Sequence, residues 1–392
     1  MDWSVERLFF IASVLLIISL LSSKLSGRFG IPALLLFLGV GMLAGSEGFG
    51  GIYFDNPHLA KTIGTGALIF ILFSGAIETD WDSVKQVTWS SISLSSLGVL
   101  ITALLTGLFS YYLLNFSWIE SLLFGAIISS TDIAAVFTIL RSKKIHLEKN
   151  VQSIIEVEAA SNDPIAILLT LFFMRILISP ENSIFNLALL LVSQIAIGLT
   201  FGWFMGKVTP WLINHFKLEY RGLYPVLFVS LVLFLYSLTT LLGGNGFLAI
   251  YVAGLLIGRS EFIHKGDLIL FNDGIAWLAQ IIMFLTLGLL VFPSQLIGSI
   301  WFDLLVALFL IFVARPVAVF ISLIFSQFRT KEKMIISWIG LRGAVPIILA
   351  TYPLTSGLPK SHEIFNLVFF VVLTSISLQG ILIPWVAKWL RN

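Results

Sequence analysis

Two neighbouring stretches decide the fold: SLLFGAIISSTDIAAVFTIL (121–140) and EVEAASNDPIAILLTLFF (156–173). Each is an apolar run that, with its flanks, is long enough to enter a lipid bilayer. Each also carries a carboxylate near its middle, Asp132 in the first and Asp163 in the second. A charge at the centre of a membrane helix costs about 2.5–3.5 kcal/mol on the mildest scale, so each acid needs a physical reason to be there.

Such runs recur along the whole chain. Of its 392 residues, 58% are hydrophobic and only 11% charged, with a mean hydropathy of +1.01. Soluble domains carry about 25% charged residues. A water-soluble fold of this size cannot hide so much apolar surface, whereas a bilayer accepts it. The expected class is an all-α polytopic membrane protein. Breaking the chain at polar clusters leaves about 13 spans, near 5–23, 30–45, 59–77, 87–114, 118–141, 150–178, 184–206, 222–242, 246–259, 269–292, 298–325, 333–352 and 364–388. The second and ninth are short. Asp2 and Glu6 make a poor flank for a signal peptide, so residues 8–21 read as a retained first span. The chain stops just after the last span, so residues 1–392 read as one membrane domain with no soluble regulatory part.

Orientation follows from the basic residues. With the N-terminus outside and the C-terminus cytoplasmic, 17 of the 23 Lys and Arg fall on the inner side. They are Lys24, Arg28, Lys85, Arg141, Lys143, Lys144, Lys149, Lys207, Lys217, Arg221, Arg259, Lys265, Arg329, Lys331, Lys333, Lys388 and Arg391. Only Arg7, Lys61 and Lys360 fall outside. A multi-pass protein of the cell (inner) membrane is expected, with lipid as its surroundings and no nucleic-acid partner.

The remaining basic residues, Arg175, Arg315 and Arg342, sit inside apolar runs. Arg175 is near a span end and is expected to snorkel to the interface. Arg315 (VARPV, 313–317) and Arg342 (GLRGAVP, 340–346) lie close to mid-span, at a depth like that of Asp132 and Asp163. Glu158 lies about a helical turn to the cytoplasmic side of Asp163, and Glu156 nearer the edge, where it would line an entrance. Such charges can serve only to pair and hold helices together. Three acids against two arginines, however, leave one carboxylate without a permanent partner. That carboxylate can take up a proton or a small cation. The chain has no cysteine, and its five histidines (His58, His146, His215, His264, His362) lie in polar connections, so a proton crossing the membrane must ride on an acid.

Backbone chemistry points to the same place. Pro164 has no amide hydrogen, which frees the carbonyl of Ala160 beside Asp163 and Asn162. That is an oxygen-rich setting for a hard cation. Ser129–Ser130–Thr131 before Asp132, and the glycines flanking Arg342, weaken their helices. Interrupted helices in corresponding places point to a midplane site. Here they fall in the fifth and twelfth spans, as two six-span inverted repeats (about 5–178 and 222–388) joined by a linking span (184–206) would place them.

At these residues the chain resembles the monovalent cation:proton antiporters of the NhaP type, relatives of the sodium/proton exchangers. STDIAAVF, EAASNDP, FVARPVAVF and SWIGLRGAVPIILA match that family's motifs in order, and GSEGFGGIYFDN (45–56) adds to the match. The overall look is nearest the bacterial potassium/proton branch. The resemblance implies a core bundle with crossed broken helices, a dimerisation domain and a homodimer. It implies that Asp163 carries both the cation and the proton, and that Asn162, Asp132 and the Thr131 backbone shape the site. It implies that Glu158 pairs with Arg315, and that Arg342 sits where the broken helices cross. Asn162, where electrogenic relatives have a second Asp, implies electroneutral exchange. Two departures stand out: Ala159, where several sodium-selective members have a hydroxyl, and the lack of the C-terminal domain common in the potassium branch.

The expected function is therefore electroneutral exchange of K⁺ or Na⁺ for H⁺ by alternating access, not enzymatic catalysis, with no cofactor beyond the transported ions. The rival is a monovalent cation channel or another ion-coupled transporter. A channel needs a filter such as TVGYG, and no such loop occurs. No phosphate-binding G-x-x-x-x-G-K-[ST] loop supports an ATP-driven pump.

Overall fold

In hydrocarbon, backbone amides and carbonyls must bond within their own segment, so each apolar run is driven into a helix. The computed structural model describes residues 4–29, 32–79, 81–132, 140, 147–179, 181 and 183–391. No strand occurs among them; one isolated bridge joins Gly45 to Ile52. The helices are α1 (Val5–Phe29), α2 (Ala33–Ala44), α3 (Pro57–Ile77), α4 (81–113), α5 (Trp118–Ile128), α6 (Lys149–Ile178) and α7 (Ile184–His215). Then come α8 (Leu223–Leu241), α9 (Gly246–Arg259), α10 (Lys265–Leu290), α11 (Ile300–Ser322), α12 (Thr330–Ile339), α13 (Ala344–Thr355) and α14 (Ser361–Arg391).

Among the described residues nine helices are long and apolar enough to cross a membrane, and the bent pair α12–α13 adds a tenth if taken as one. Three shorter apolar helices remain, α2, α5 and α9. Each expected span meets a helix at least in part. The second half of the fifth, residues 133–139, lies outside the described residues, as do Arg141, Lys143, Lys144 and His146. Several helices outrun the expected limits. The linking span was expected to end at 206, yet α7 continues to His215. Lys207 and Thr209 are polar, but they carry ordinary helical backbone, and Trp211 and His215 stack on one another there (centroids 4.5 Å apart).

The irregularities fall in a pattern. α4 and α11 each contain one π-helical turn, Leu94–Gly98 and Leu310–Ala314. The first turn packs against the segment that follows the second, Arg315–Ser322, with the Ser93 hydroxyl donating to the carbonyl of Ser322 at 2.7 Å. α5 ends at Ile128, and residues 129–132 are unwound. Between α12 and α13, residues 340–343 are unwound and the axis bends by 50°.

Glycines set the close crossings. Gly41 of α2 and Gly288 of α10 meet backbone to backbone; a Cβ on Gly288 would strike the carbonyl of Leu38. Gly254 and Gly258 of α9 lie in the same way against Phe73, Ala76 and Ile77 of α3. Membrane helices associate by such close packing of small residues.

Polar contacts mark the two ends of the bundle. At one end Lys61 meets Thr355, Lys360 reaches the carbonyl of Asn115, and Glu47 accepts from the amide and hydroxyl of Ser294. These last two bonds hold the exposed Glu47 carboxyl, in the loop 45–56, below the usual carboxylate range. At the other end Asn214 accepts from the amide of Ile263, and Tyr224 donates to the carbonyl of Phe216. Outward faces are apolar, with Phe9, Trp203, Phe234, Trp301 and Phe325 exposed, as a lipid solvent requires.

Gly288→Ala is expected to lower stability by about 1–3 kcal/mol through overpacking. Gly274→Ala, in the same helix with open space around the Cβ position, is expected to hold or gain stability, since Gly in a helix interior costs roughly 0.5–1 kcal/mol. Thermal unfolding in detergent compares the two; equal losses would mean that the glycine crossing does not set the packing.

Candidate functional site

Unwound backbone inside a membrane needs partners, and the two breaks supply them to each other. The amide of Asp132 donates to the carbonyl of Leu341 at 2.8 Å. The Arg342 guanidinium, fully buried, donates through Nη1 to the carbonyls of Ser129 (2.7 Å) and Ser130 (2.8 Å). These carbonyls are left over where α5 ends, and a cation at a helix C-terminus is favoured by the helix dipole. On the other side the Arg342 amide donates to Ser375 Oγ at 3.1 Å. Ser375 in turn donates to Gln379 (2.6 Å), whose amide donates to the carbonyl of Trp338 (2.8 Å). Gly343 has no room for a Cβ because the Asp132 side chain occupies that space. The breaks therefore cross in contact, with Arg342 at the crossing.

The α6 helix runs alongside and presents three polar residues to the crossing. Glu158 and Arg315 are each only 2% exposed and form a two-pronged pair, Nη1 to Oε1 at 3.1 Å and Nη2 to Oε2 at 3.0 Å. Bidentate geometry and shared charge make this the strongest class of hydrogen bond. Gly340 gives the guanidinium room: a Cβ there would lie 2.5 Å from Arg315 Nε. Asn162 is wholly buried. Its amide donates to Thr131 Oγ1 at 2.5 Å and to Glu158 Oε1 at 3.0 Å, while the Thr131 hydroxyl lies 3.4 Å from both Glu158 oxygens.

Asp163 stands apart from this network. It is 9% exposed, accepts a hydrogen bond from the Ser130 hydroxyl, and has no Lys or Arg within 4.0 Å among the described residues. Asn162 Oδ1, next to it in the chain, is a buried acceptor that no described residue reaches. Two residues back, Tyr251 of α9 meets the Ser161 hydroxyl at 2.7 Å. The oxygens gathered here come from the Asp163 carboxylate, the neighbouring Asn162 carboxamide and the Ser130 and Ser161 hydroxyls. Hard cations prefer oxygen ligands of this kind.

The structure thus gathers Thr131, Asp132, Glu158, Asn162, Asp163, Arg315 and Arg342 around one crossing. Thr131 contributes its hydroxyl to Glu158 and Asn162, in addition to the backbone role expected of it. Residues 133–137 of the STDIAAVF motif lie outside the described residues. Glu156 lies near the α6 N-terminus and accepts from Gln152 at 2.9 Å; Arg175 is exposed near the other end. Two contributors escaped the sequence reading. Ser130 was noted only as a helix-weakening residue, yet it holds Asp163. The Ser375–Gln379 pair left no signal, because single polar residues are common in membrane helices.

Among the described residues, an all-helical bundle with two crossing unwound segments and charges buried at the crossing defines a polytopic membrane protein. The chain belongs to the sodium/hydrogen exchanger family: a family model described as "Sodium/hydrogen exchanger, transmembrane" matches residues 12–389. The K(+)/H(+) antiporter NhaP of Alkalimonas amylolytica is 41% identical over 381 residues, covering 97% of this chain and 66% of that protein. The K(+)/H(+) antiporter NhaP2 of Shewanella oneidensis is also 41% identical, covering 96% and 66%. This chain therefore spans just under two thirds of the length of these curated relatives. The Na(+)/H(+) antiporter 1 of Methanocaldococcus jannaschii is 30% identical over 351 residues, 86% of this chain and 80% of that protein. The solved structure of the sodium proton antiporter MjNhaP1 from that organism at pH 8 aligns with a TM-score of 0.81 at 27% identity, covering 95% of this chain and 99% of that one.

Removing one partner of a buried ion pair costs about 3–5 kcal/mol, because the other charge is stranded. Glu158→Gln or Arg315→Met alone is expected to lower the unfolding temperature sharply. The double variant is expected to recover part of the loss. Single variants that melt with the unaltered chain would show that the pair does not brace the helices.

Proposed function

We propose that this chain is an electroneutral monovalent cation/proton antiporter in which Asp163 carries K⁺ or Na⁺ in one half of the cycle and H⁺ in the other. The observation that carries the reading is the division of charge at the crossing. Glu158 is committed to Arg315, and Arg342 to the carbonyls of the unwound α5 end. Asp163 keeps only a hydroxyl donor and no cationic neighbour among the described residues. A carboxylate withdrawn from water is costly when charged. A proton or a cation neutralises it, but not both at once. Only the neutralised site passes cheaply through the dehydrated stage, so movement of one ion is coupled to return of the other.

Asn162, Ser130, Thr131 and Asp132 line or support the site in this proposal, and Glu158 with Arg315 holds its wall. Because Asn162 is uncharged, one cation exchanges for one proton. No net charge then moves, and the membrane potential does no work on the cycle. The names of the potassium and sodium relatives support the ion class.

Alternating access would be a rigid-body movement of one helix bundle against another. Two inverted repeats with a linking α7 are supported by matched irregularities seven spans apart. The short α2 matches the short α9, the π-turn of α4 that of α11, and the break after α5 that between α12 and α13. The crossings repeat likewise, α2 on α10 and α9 on α3. We further propose that the chain lies in the cell membrane with its N-terminus outside, on the asymmetry of Lys and Arg, and that it forms a homodimer, on its membership of the family.

Asp163→Asn, which preserves shape and removes the charge, is expected to abolish cation-dependent proton movement in proteoliposomes; retained exchange rules out the carrier role. With the unaltered chain, more acid on the cation side is expected to raise the apparent KM for the cation without lowering the saturating rate. The rate is expected to be the same at any clamped potential, and a potential-dependent rate would remove the one-for-one stoichiometry.

A further inference from the structure

Lys61 lies near the first turn of α3, half-buried, at the end of the bundle where the α13 helix finishes. Its ammonium sits 4.2 Å from the centre of the Tyr352 ring and donates to Thr355 Oγ1 at 3.2 Å. Both partners are on α13, whose N-terminus forms one arm of the broken-helix crossing. Among the described residues no carboxylate lies within 4.0 Å of Lys61. A neutral hydroxyl and an aromatic face therefore hold a full positive charge.

From Lys61 a line of aromatic hydroxyls leads inward. The Tyr352 hydroxyl lies 3.4 Å from Thr65 Oγ1, one turn further along α3 from Lys61. Tyr236 belongs to α8, which packs against both α3 and α9. The Tyr236 ring packs edge-on against Phe247, centroids 4.9 Å apart, one turn before Tyr251 on α9. Tyr251 meets the hydroxyl of Ser161 at 2.7 Å, two residues before Asp163 on α6. Four helices, α3, α8, α9 and α13, thus place a chain of hydroxyls and ring faces between the Lys61 end and the carrier acid. Such groups suit a partly dehydrated cation, through oxygen lone pairs and through the ring quadrupole.

We infer that Lys61, seated on Tyr352, is a tethered positive charge at the mouth of the path to Asp163 that opposes entry of the transported cation from that face of the membrane. This rests on the antiport reading above. A fixed charge in a low-dielectric cleft alters the local concentration of ions of its own sign. It acts on the encounter at one face and leaves the carrier acid and the opposite approach unchanged. Lys61 is thus a positioning residue for side-specific affinity. It never touches the bound ion.

The test uses the full chain in proteoliposomes of known insertion direction, with K⁺ and Na⁺ presented in turn to each face. For Lys61→Gln and for Lys61→Met, which keeps the aliphatic stem, the apparent KM on the Lys61 face is expected to fall on the order of threefold to tenfold. The saturating rate and the KM on the opposite face are expected to stay unchanged, and Lys61→Arg to behave as the unaltered chain. Added choline chloride is expected to lower the unaltered chain's KM on the Lys61 face and to leave the neutral variants' KM in place, since salt screens exposed charge. An equal KM change on both faces, or none on the Lys61 face, overturns the inference. Absence of cation-driven proton movement in the unaltered chain is seen before any variant is made, and it removes the antiport reading and the inference together.

Discussion

Unwound backbone cannot face lipid, and among the described residues two such segments cross one another at the centre of the bundle. Everything at the centre follows from how residues 129–132 and 340–343 satisfy each other. Each open segment would leave orphan amides and carbonyls at several kcal/mol apiece in hydrocarbon. The Asp132–Leu341 backbone bond and the paired carbonyls on Arg342 close much of that deficit. One nitrogen of the guanidinium, Nη1, serves both carbonyls, while the backbone amide of Arg342 serves a third group, Ser375.

With one arginine spent on carbonyls, the remaining charges sort themselves. Glu158 and Arg315 neutralise each other in a dry, two-pronged pair that ties α6 to α11. Their pairing turns a potential ion trap into a wall. Asp163, five residues along the same helix, is spared an arginine and receives a hydroxyl instead. Two acids within little more than a turn of one another thus take different partners, one an arginine and one a hydroxyl. The difference lies entirely in what stands across from each.

Much of this was legible in the chain itself. Apolar runs located the helices, since lipid imposes one solution on any long apolar segment. Asp132, Asp163, Glu158, Arg315 and Arg342 announced themselves as charges where charges are costly, and Ser-Ser-Thr and Gly-Leu-Arg-Gly announced the breaks. The pairing of Glu158 with Arg315 came only through resemblance; spacing along the chain says nothing about which acid meets which base across 157 residues. Ser130 was hidden because a hydroxyl that weakens a helix looks the same in sequence as one that also grips a carboxylate. The overrun of α7 was missed because polar residues at a bilayer edge end the apolar run without ending the helix. The π-turns were invisible, since LIFVA carries no Gly, Pro or Ser and the Ser and Gly of LSSLG are common in membrane helices.

Those two π-turns have a geometric consequence. An α-helix advances about 100° per residue, so one surplus residue rotates everything beyond it by that angle relative to a regular helix. In α11 the surplus sits directly before Arg315. The guanidinium owes its aim at Glu158 to this phase shift as much as to its place in the chain. The Leu310–Ala314 turn works like a vernier on the helix: it lets the lipid-facing stripe before it and the polar contact after it each find its own angle, without bending the rod that carries both.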